Sequence, residues 1–122
     1  MINSADTRSV VGDEAVYTFE VQTKPLQLIL NESPFHAKPI DFLNIDCEGA
    51  DLEVLQSLDF AVNQPRVVAV EALDRPAERD ICAFMRLKDY EMTHRLGLTL
   101  LFLPRNEIVA LGELYRKFVE TS

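Results

Sequence analysis

The chain has 122 residues, 48% of them hydrophobic and 26% charged, values that indicate one globular domain and exclude a multidomain or largely disordered protein. Its 20 acidic and 12 basic residues give a net charge of −8, which disfavours nucleic acid and anionic membranes as partners because both are negatively charged. We see no local patch of basic residues that would offset this charge.

The cysteine content and the hydropathy pattern bear on location. Two cysteines cannot form a disulfide framework, and the first residues do not resemble a signal peptide. No run approaches the ~18 consecutive apolar residues of a membrane span. The sequence therefore predicts a cytoplasmic protein with no membrane partner.

The N-terminal part of the chain predicts one strand and one short helix. Residues 1–14 are mostly small and polar without a period, so we expect a flexible tail there. β-Branched and aromatic residues alternate from Ala15 to Val21, which favours a strand. Apolar residues at helical spacing from Leu26 to Leu30 predict a short helix, and the two prolines between Asn31 and Ile40 end it in a loop.

The central part predicts two strand–helix units. Ile40–Ile45 and Arg66–Glu71 are short, mostly apolar runs, and the second is as apolar as a strand covered on both faces. Helical periodicity follows each of them, over Leu52–Leu58 and over Ala77–Lys88. This alternation indicates that the two strands are parallel.

The C-terminal part predicts a hairpin and an amphipathic helix. The β-prone runs Tyr90–Arg95 and Leu98–Leu103 are separated by Leu96 and Gly97, which is the spacing of a hairpin. Apolar residues at helical spacing then predict a helix within residues 106–122. We expect this helix to cover an otherwise open surface.

Three acidic residues follow the predicted parallel strands. Asp46 and Glu48 come after the first strand, and Glu71 ends the second. Ligands of open α/β sheets bind outside the carboxyl ends of parallel strands, so we predict that these acids are catalytic and accept a proton or orient a hydroxyl. The competing interpretation is structural: Asp46, Glu48 and Asp51 only start the following helix, and Glu71 forms a loop ion pair with Arg75.

Other residue types that carry chemistry show no pattern. His36 and His94 lack the spacing of a metal pair, and no metal site is assigned. Cys47 stands between two acids, whose negative charge opposes a thiolate, so we interpret it as a packed thiol. No two of the four glycines fall within one nucleotide-binding loop, and the cofactor-binding residues therefore remain unknown.

The segment Pro39–Leu55, P-I-D-F-L-N-I-D-C-E-G-A-D-L-E-V-L, resembles the segment P-I-D-F-L-K-I-D-V-E-G-A-E-x-x-V-L of FkbM-type methyltransferases, which use S-adenosylmethionine. Arg66–Glu71 resembles the next strand of that family, and Gly97–Leu103 resembles its closing strand. The resemblance implies a partial methyltransferase domain over residues 15–105, preceded by the tail of residues 1–14 and followed by the helix of residues 106–122.

The resemblance implies an α/β fold, the C-terminal half of a Rossmann-like methyltransferase sheet in which parallel strands end in an antiparallel hairpin. It places Asp46, Glu48 and Glu71 on the substrate side. It also implies S-adenosylmethionine as cofactor and a hydroxyl of a small molecule or glycan as acceptor. The family's glycine-rich turn, which holds the cofactor, has no counterpart in this sequence. We therefore expect an O-methyltransferase truncated before its cofactor motif and inactive as an isolated chain.

Two other functions stay open. The first is a non-catalytic remnant or interaction subunit that pairs with a chain supplying the cofactor half. The truncation would leave Ile40–Ile45 with an open edge unless Val16–Val21 covers it, and such an edge favours a homo-oligomer or a complementing chain. The second is metal-assisted methyl transfer, in which Asp46 and Glu71 hold Mg²⁺ against two substrate hydroxyls.

Overall fold

The computed structural model describes residues 7–11 and 14–121. Within these residues the elements are, in chain order, β1 (Thr7–Val11), β2 (Glu14–Thr18), α1 (Leu26–Glu32), β3 (Phe42–Ile45), α2 (Asp51–Gln56), β4 (Val67–Glu71), α3 (Arg75–Leu87), β5 (Tyr90–Leu96), β6 (Thr99–Pro104) and α4 (Arg105–Thr121). The predicted strand–helix units and the C-terminal hairpin are all present.

The main sheet has four strands in the order β3-β4-β6-β5. Strands β3 and β4 are parallel, with Ile45 opposite Val70, whereas β4–β6 and β6–β5 are antiparallel. The fold is thus mixed α/β, with one parallel pair in a mostly antiparallel sheet. The parallel pair and the antiparallel hairpin confirm the predictions for those segments.

The hydrophobic core lies around the central strands of this sheet. Val68, Ala69 and Val70 of β4 are all buried, which confirms that β4 is covered on both faces. Leu55 of α2 and Met85 of α3 pack into the same cluster. Full burial of an aliphatic side chain stabilises a fold by roughly 1.5–3 kcal/mol, so α2 and α3 are firmly anchored on the sheet that ends at the candidate site.

The N-terminal strands form a sheet of their own. Strands β1 and β2 pair in antiparallel fashion, with Thr7 opposite Thr18. Part of the segment expected to be a flexible tail is therefore a strand, and the rest, residues 1–6 and 12–13, lies outside the described residues. The strand predicted from Ala15 ends at Thr18 and does not cover β3. Among the described residues, no strand pairs with the outer edge of β3.

Helix α4 follows β6 directly and has no buried residue. Its apolar residues remain largely exposed, with Leu114, Tyr115 and Phe118 at 65%, 70% and 69% of their full accessibility. The prediction of a C-terminal helix is correct, but the prediction that it covers an open surface is wrong. Over the described range, no helix has the length and apolar character needed to cross a membrane.

Candidate functional site

The carboxyl ends of β3 and β4 bring the predicted acids together. Because the two strands are parallel and Ile45 lies opposite Val70, Asp46 follows β3 at the level where Glu71 ends β4. One carboxylate oxygen from each of Asp46, Glu48 and Glu71 lies within 4.8 Å of the others. The structure therefore places all three residues in one cluster, here called the acidic cluster.

The members of the acidic cluster differ in exposure. Asp46 and Glu48 are exposed, whereas Glu71 is half-buried. The Oε1 atom of Glu71 is buried and receives no hydrogen bond from a donor in the described part of the chain. A buried carboxylate oxygen without a donor is costly when the group is charged, so this environment favours the protonated form of Glu71.

The pKa of Glu71 is raised above its ordinary value of 4.5. The largest cause is its side-chain hydrogen bond with Asp46, followed by burial and by the negative charges of Asp46, Glu48 and Asp51. Two carboxyl groups can hydrogen-bond to each other only when one carries a proton. Glu71 therefore retains its proton to a higher pH than an isolated glutamate does.

The turn between β3 and α2 fixes the position of Glu48. Glu48 has a φ of 50° and Gly49 a φ of 102°, so two consecutive residues adopt the left-handed region. A Cβ on Gly49 would meet Leu73 Cδ1 at 3.7 Å, an ordinary contact. Glycine is therefore favoured here by its φ and not by lack of space. The turn holds the carboxylate of Glu48 close to that of Asp46.

Asp51 has a different role from the three acids of the cluster. It is only 3% exposed, and its carboxylate accepts hydrogen bonds from the backbone N–H groups of Cys47 at 2.9 Å and Gly49 at 3.1 Å. The N-cap residue of α2 is Ala50, which provides no side-chain cap. The structural interpretation is therefore correct for Asp51, which ties the turn to the helix.

The acidic cluster does not form the contacts that the structural interpretation expects in the described part of the chain. Neither Asp46 nor Glu48 accepts a capping hydrogen bond from the start of α2 within the described residues. No ion pair between Glu71 and Arg75 occurs in the described part of the chain. Three acids are thus held together without structural partners of opposite charge, an arrangement that suits the binding of a hydroxyl or cationic group.

A cavity of about 300 Å³ lies beside the acidic cluster, between α2, α3 and the end of β4. Its apolar wall includes Leu52, Leu73 and Ile81, and its acidic residues are Asp51, Glu53, Glu71, Asp74 and Asp80. Our sequence analysis did not find Asp74 and Asp80. Asp74 caps α3 by accepting a hydrogen bond from the N–H of Ala77 at 2.8 Å. Its position directly before the predicted helix was the sequence feature that could have placed it at this end of α3.

The histidines and cysteines stay outside the acidic cluster. His36 contacts the carbonyl oxygen of Ser33, and His94 contacts the Thr93 hydroxyl; both histidines are exposed. Cys47 lies in the turn between Asp46 and Glu48 but is exposed, so the interpretation of a packed thiol is wrong. It was wrong because Cys47 lies in the exposed turn, two residues beyond Ile45, which is the buried last residue of β3.

The fold and the acidic cluster together define a mixed α/β protein whose acids meet at the carboxyl ends of two parallel strands, where such proteins bind their ligands. A family model described as the methyltransferase FkbM domain matches residues 2–92. The chain therefore belongs to the FkbM methyltransferase domain family, and the resemblance seen in the sequence is confirmed. No curated protein and no solved structure matches the chain.

FkbM methyltransferases generally depend on S-adenosylmethionine. Binding of its carboxylate end calls for free backbone N–H groups, such as a glycine-rich turn supplies. At the acidic cluster the N–H of Gly49 already donates to Asp51, and the nearby side chains are hydrogen-bond acceptors of negative charge. The described residues at this edge therefore do not fit the complete cofactor.

Proposed function

We propose that this chain carries the acceptor side of an O-methyltransferase. The Asp46–Glu71 pair binds a hydroxyl group of a small molecule or glycan, and Asp46 takes its proton. The observation that supports this function is the meeting of three carboxylates within 4.8 Å, beside a cavity of about 300 Å³. The cofactor, S-adenosylmethionine, is held by residues other than those of this edge.

The two members of the pair have separate roles in this proposal. A general base must lie within hydrogen-bond reach of the proton that it removes, and the exposed carboxylate of Asp46 is accessible to a ligand. Glu71 retains its proton and donates it to Asp46 in a hydrogen bond, which orients the Asp46 carboxylate. Unequal environments of two neighbouring acids are the usual basis for such a division of roles.

The walls of the cavity support an uncharged acceptor. Leu52, Leu73 and Ile81 offer an apolar surface, and the acids around them offer acceptors for hydroxyl groups. A phosphate or carboxylate on the ligand would be repelled by the five acids of this cavity. A neutral polyhydroxylated molecule, such as a sugar, has both the hydroxyls and the apolar ring face that the cavity requires.

The proposal also includes a Rossmann-like sheet and a cytoplasmic location for this chain. The parallel pair β3–β4, continued by the antiparallel hairpin β5–β6, has the arrangement expected for the C-terminal half of a Rossmann-like methyltransferase sheet. Cys47 and Cys82 are both free, which is usual in a reducing compartment and supports a cytoplasmic location.

Two titrations test the proposed function. The first adds S-adenosylmethionine and S-adenosylhomocysteine to the purified chain in a calorimeter, after circular dichroism has shown that the chain is folded. We expect no saturable binding. Micromolar binding would contradict the proposal that this chain carries only the acceptor side, because it would mean that the chain builds the cofactor site itself.

The second titration adds a panel of methyl glycosides and vicinal diols to isotope-labelled chain and follows the amide signals of Cys47, Gly49 and Ala72 by NMR. We expect the wild-type amide signals to shift on ligand addition. In a matched turnover assay with a cofactor-binding partner present, we expect Asp46→Asn to lower the rate by about 100-fold or more. The control Glu113→Gln, on α4, should behave as the wild type does in both measurements. Ligand binding and turnover that Asp46→Asn retains in full would contradict the proposal.

A second candidate function, a non-catalytic subunit that pairs with a chain supplying the cofactor half, is favoured by a different observation. Strand β3 is the edge of the main sheet, and its outer side is unpaired within the described residues. Open edges offer backbone donors and acceptors to another strand. A glycine-rich strand–turn–helix encoded directly upstream would favour a divided enzyme, and its absence would favour the interaction subunit.

A further inference from the structure

Helix α3 separates two sites of opposite charge. Ala77, Asp80 and Ile81 line the acidic cavity described above. On its other side, toward β5, a groove of about 370 Å³ is lined by Arg75, Glu78, Arg79, Cys82, Arg86 and Met92. Arg75, Arg79, Cys82 and Arg86 follow one another at intervals of three or four positions along α3, and residues with this spacing share one helix face.

The arginine groove carries an excess of positive charge. Arg75 and Arg79 have no ion pair with any described residue, whereas the acid of the groove, Glu78, is held by Arg95 from β5. Arg86 Nε lies 3.7 Å from Glu91 Oε2 in a second ion pair. Arg75 and Arg79 therefore remain available for an anion, although the chain as a whole has a net charge of −8. The expectation that no basic patch forms is corrected here, because α3 gathers residues that are scattered in the sequence.

The floor of the arginine groove is apolar. Cys82 is half-buried, and burial raises the pKa of its thiol, with Glu78 and Glu91 adding to the shift and Arg86 and Arg95 opposing it. The thiol is therefore neutral at physiological pH and adds no negative charge to the groove. Met92 supplies a second soft, apolar surface beside it.

We propose that the arginine groove binds a small-molecule phosphate monoester. The phosphate contacts the guanidinium groups of Arg75 and Arg79, and the apolar body of the ligand lies against Cys82 and Met92. All cationic groups lining the groove belong to arginines, whose planar guanidinium matches phosphate oxygens in a bidentate manner better than lysine does. A volume of about 370 Å³ is within the range of small-molecule sites.

The proposed ligand cannot be the one that the acidic cavity binds. Five acids line that cavity and would repel a phosphate, and α3 stands between the two sites. The arginine groove is therefore a separate binding site on the opposite side of α3 from the acidic cluster, and its test does not depend on methyltransferase activity.

The first experiment measures binding of phenyl phosphate, inorganic phosphate and benzoate by calorimetry at low salt. We expect phenyl phosphate to bind most tightly, because only this probe has both the phosphate and the apolar body. The double variant Arg75→Gln/Arg79→Gln is expected to weaken it by about tenfold or more, since two charge-assisted hydrogen-bonding groups are lost. The control Arg116→Gln, on the exposed helix α4, should bind as the wild type does.

The second experiment places the ligand in the arginine groove. In a Cys47→Ser background, Cys82 is the only thiol, and its rate of alkylation by an uncharged reagent is measured with and without phenyl phosphate. We expect the ligand to slow alkylation in the wild-type groove. This readout needs no arginine variant, so the proposal stays testable even if the double variant does not fold.

Several outcomes would overturn the proposal. These are no saturable binding of phenyl phosphate, binding that the double variant retains, an equal loss with Arg116→Gln, or no protection of Cys82. Benzoate binding as tightly as phenyl phosphate would also overturn it, because the site would then recognise any aromatic anion and not a phosphate monoester.

Discussion

One carboxylate oxygen of Glu71, the last residue of β4, lies within 4.8 Å of one from Asp46, which directly follows β3. The parallel register that sets Ile45 opposite Val70 brings these two residues together. Glu48 adds a third carboxylate within 4.8 Å. The negative charges of these neighbours and burial help to raise the pKa of Glu71, which therefore keeps its proton to a higher pH than an isolated glutamate does.

Replacement of Asp46 by Asn is expected to lower the pKa of Glu71 toward its ordinary value of 4.5. The variant removes the carboxyl partner and its negative charge, which are two of the causes of the raised pKa. An NMR titration of the Glu71 side-chain carboxyl carbon measures the change. Glu113→Gln should leave this titration curve unchanged, and an unshifted curve in Asp46→Asn would mean that burial and the charges of Glu48 and Asp51 raise the pKa without Asp46.

The stability of the chain is expected to depend on pH through Glu71. Because its folded-state pKa is raised, Glu71 contributes stability that is fully present below the unfolded pKa and is lost as the pH rises through the folded pKa. The side chain of the variant Glu71→Gln does not ionise, so the variant does not lose this stability as the pH rises. Thermal melts of both proteins from about pH 4 to about pH 8 should show the Tm of the variant rising relative to that of the wild type, whereas Glu113→Gln should follow the wild type.

Replacement of Asp51 by Ala is expected to lower the free energy of unfolding by about 2 kcal/mol. The side chain is 3% exposed and accepts from two backbone N–H groups, those of Cys47 and Gly49. Urea denaturation measures the loss. Asp41→Ala is the control, since Asp41 is exposed and its ion pair with Arg66 is long at 3.9 Å. Similar effects of the two variants would contradict a structural role specific to Asp51.

Magnesium is expected to leave the Tm of the chain unchanged under the proposed function. The acidic cluster offers one oxygen from each of three residues, and the proposed function uses these oxygens to bind an acceptor hydroxyl and not a metal ion. Melts with and without millimolar MgCl₂ check this expectation. A rise in Tm that Asp46→Asn abolishes would instead favour metal-assisted methyl transfer, because a bound ion stabilises the folded state.

Self-association is expected to depend on the edge of β3 and not on α4. Phe42, on the edge strand, is 57% exposed, and Leu114, on α4, is 65% exposed. A lysine on an edge strand opposes pairing with another strand. Analytical ultracentrifugation should therefore show less association with Phe42→Lys than with the wild type and no change with Leu114→Lys. The reverse result would place the contact on α4.

The local elements follow from local sequence patterns. The consecutive valines and alanine of β4 predicted a strand buried on both faces, and Gly97 with its positive φ of 63° lies in the predicted hairpin. The positions of Asp46, Glu48 and Glu71 at strand ends predicted their meeting, because parallel strands end at the same edge of a sheet. These features depend on hydrophobic periodicity and on turn-forming residues, and both can be recognised within short segments of the sequence.

The roles of individual charged residues required long-range contacts. Asp46 and Asp51 both lie near the start of α2 in the sequence. Only the folded turn shows that Asp51 accepts hydrogen bonds from the N–H groups of Cys47 and Gly49, whereas Asp46 lies beside Glu71. In the same way, the arginine groove forms only because α3 packs on β5 and brings Met92 and Arg95 next to its basic face.

The sequence by itself thus determined the family, the order of the strands and helices from β2 onward and the three acids at the sheet edge, because each depends on contiguous residues. Only the tertiary structure decided that α4 buries none of its residues, that β2 pairs with β1 and no described strand pairs with the outer edge of β3, and that the pKa of Glu71 is raised. The physical reason is that burial, strand pairing and charge coupling act between residues distant in the chain, and their balance exists only once the fold has brought those residues together.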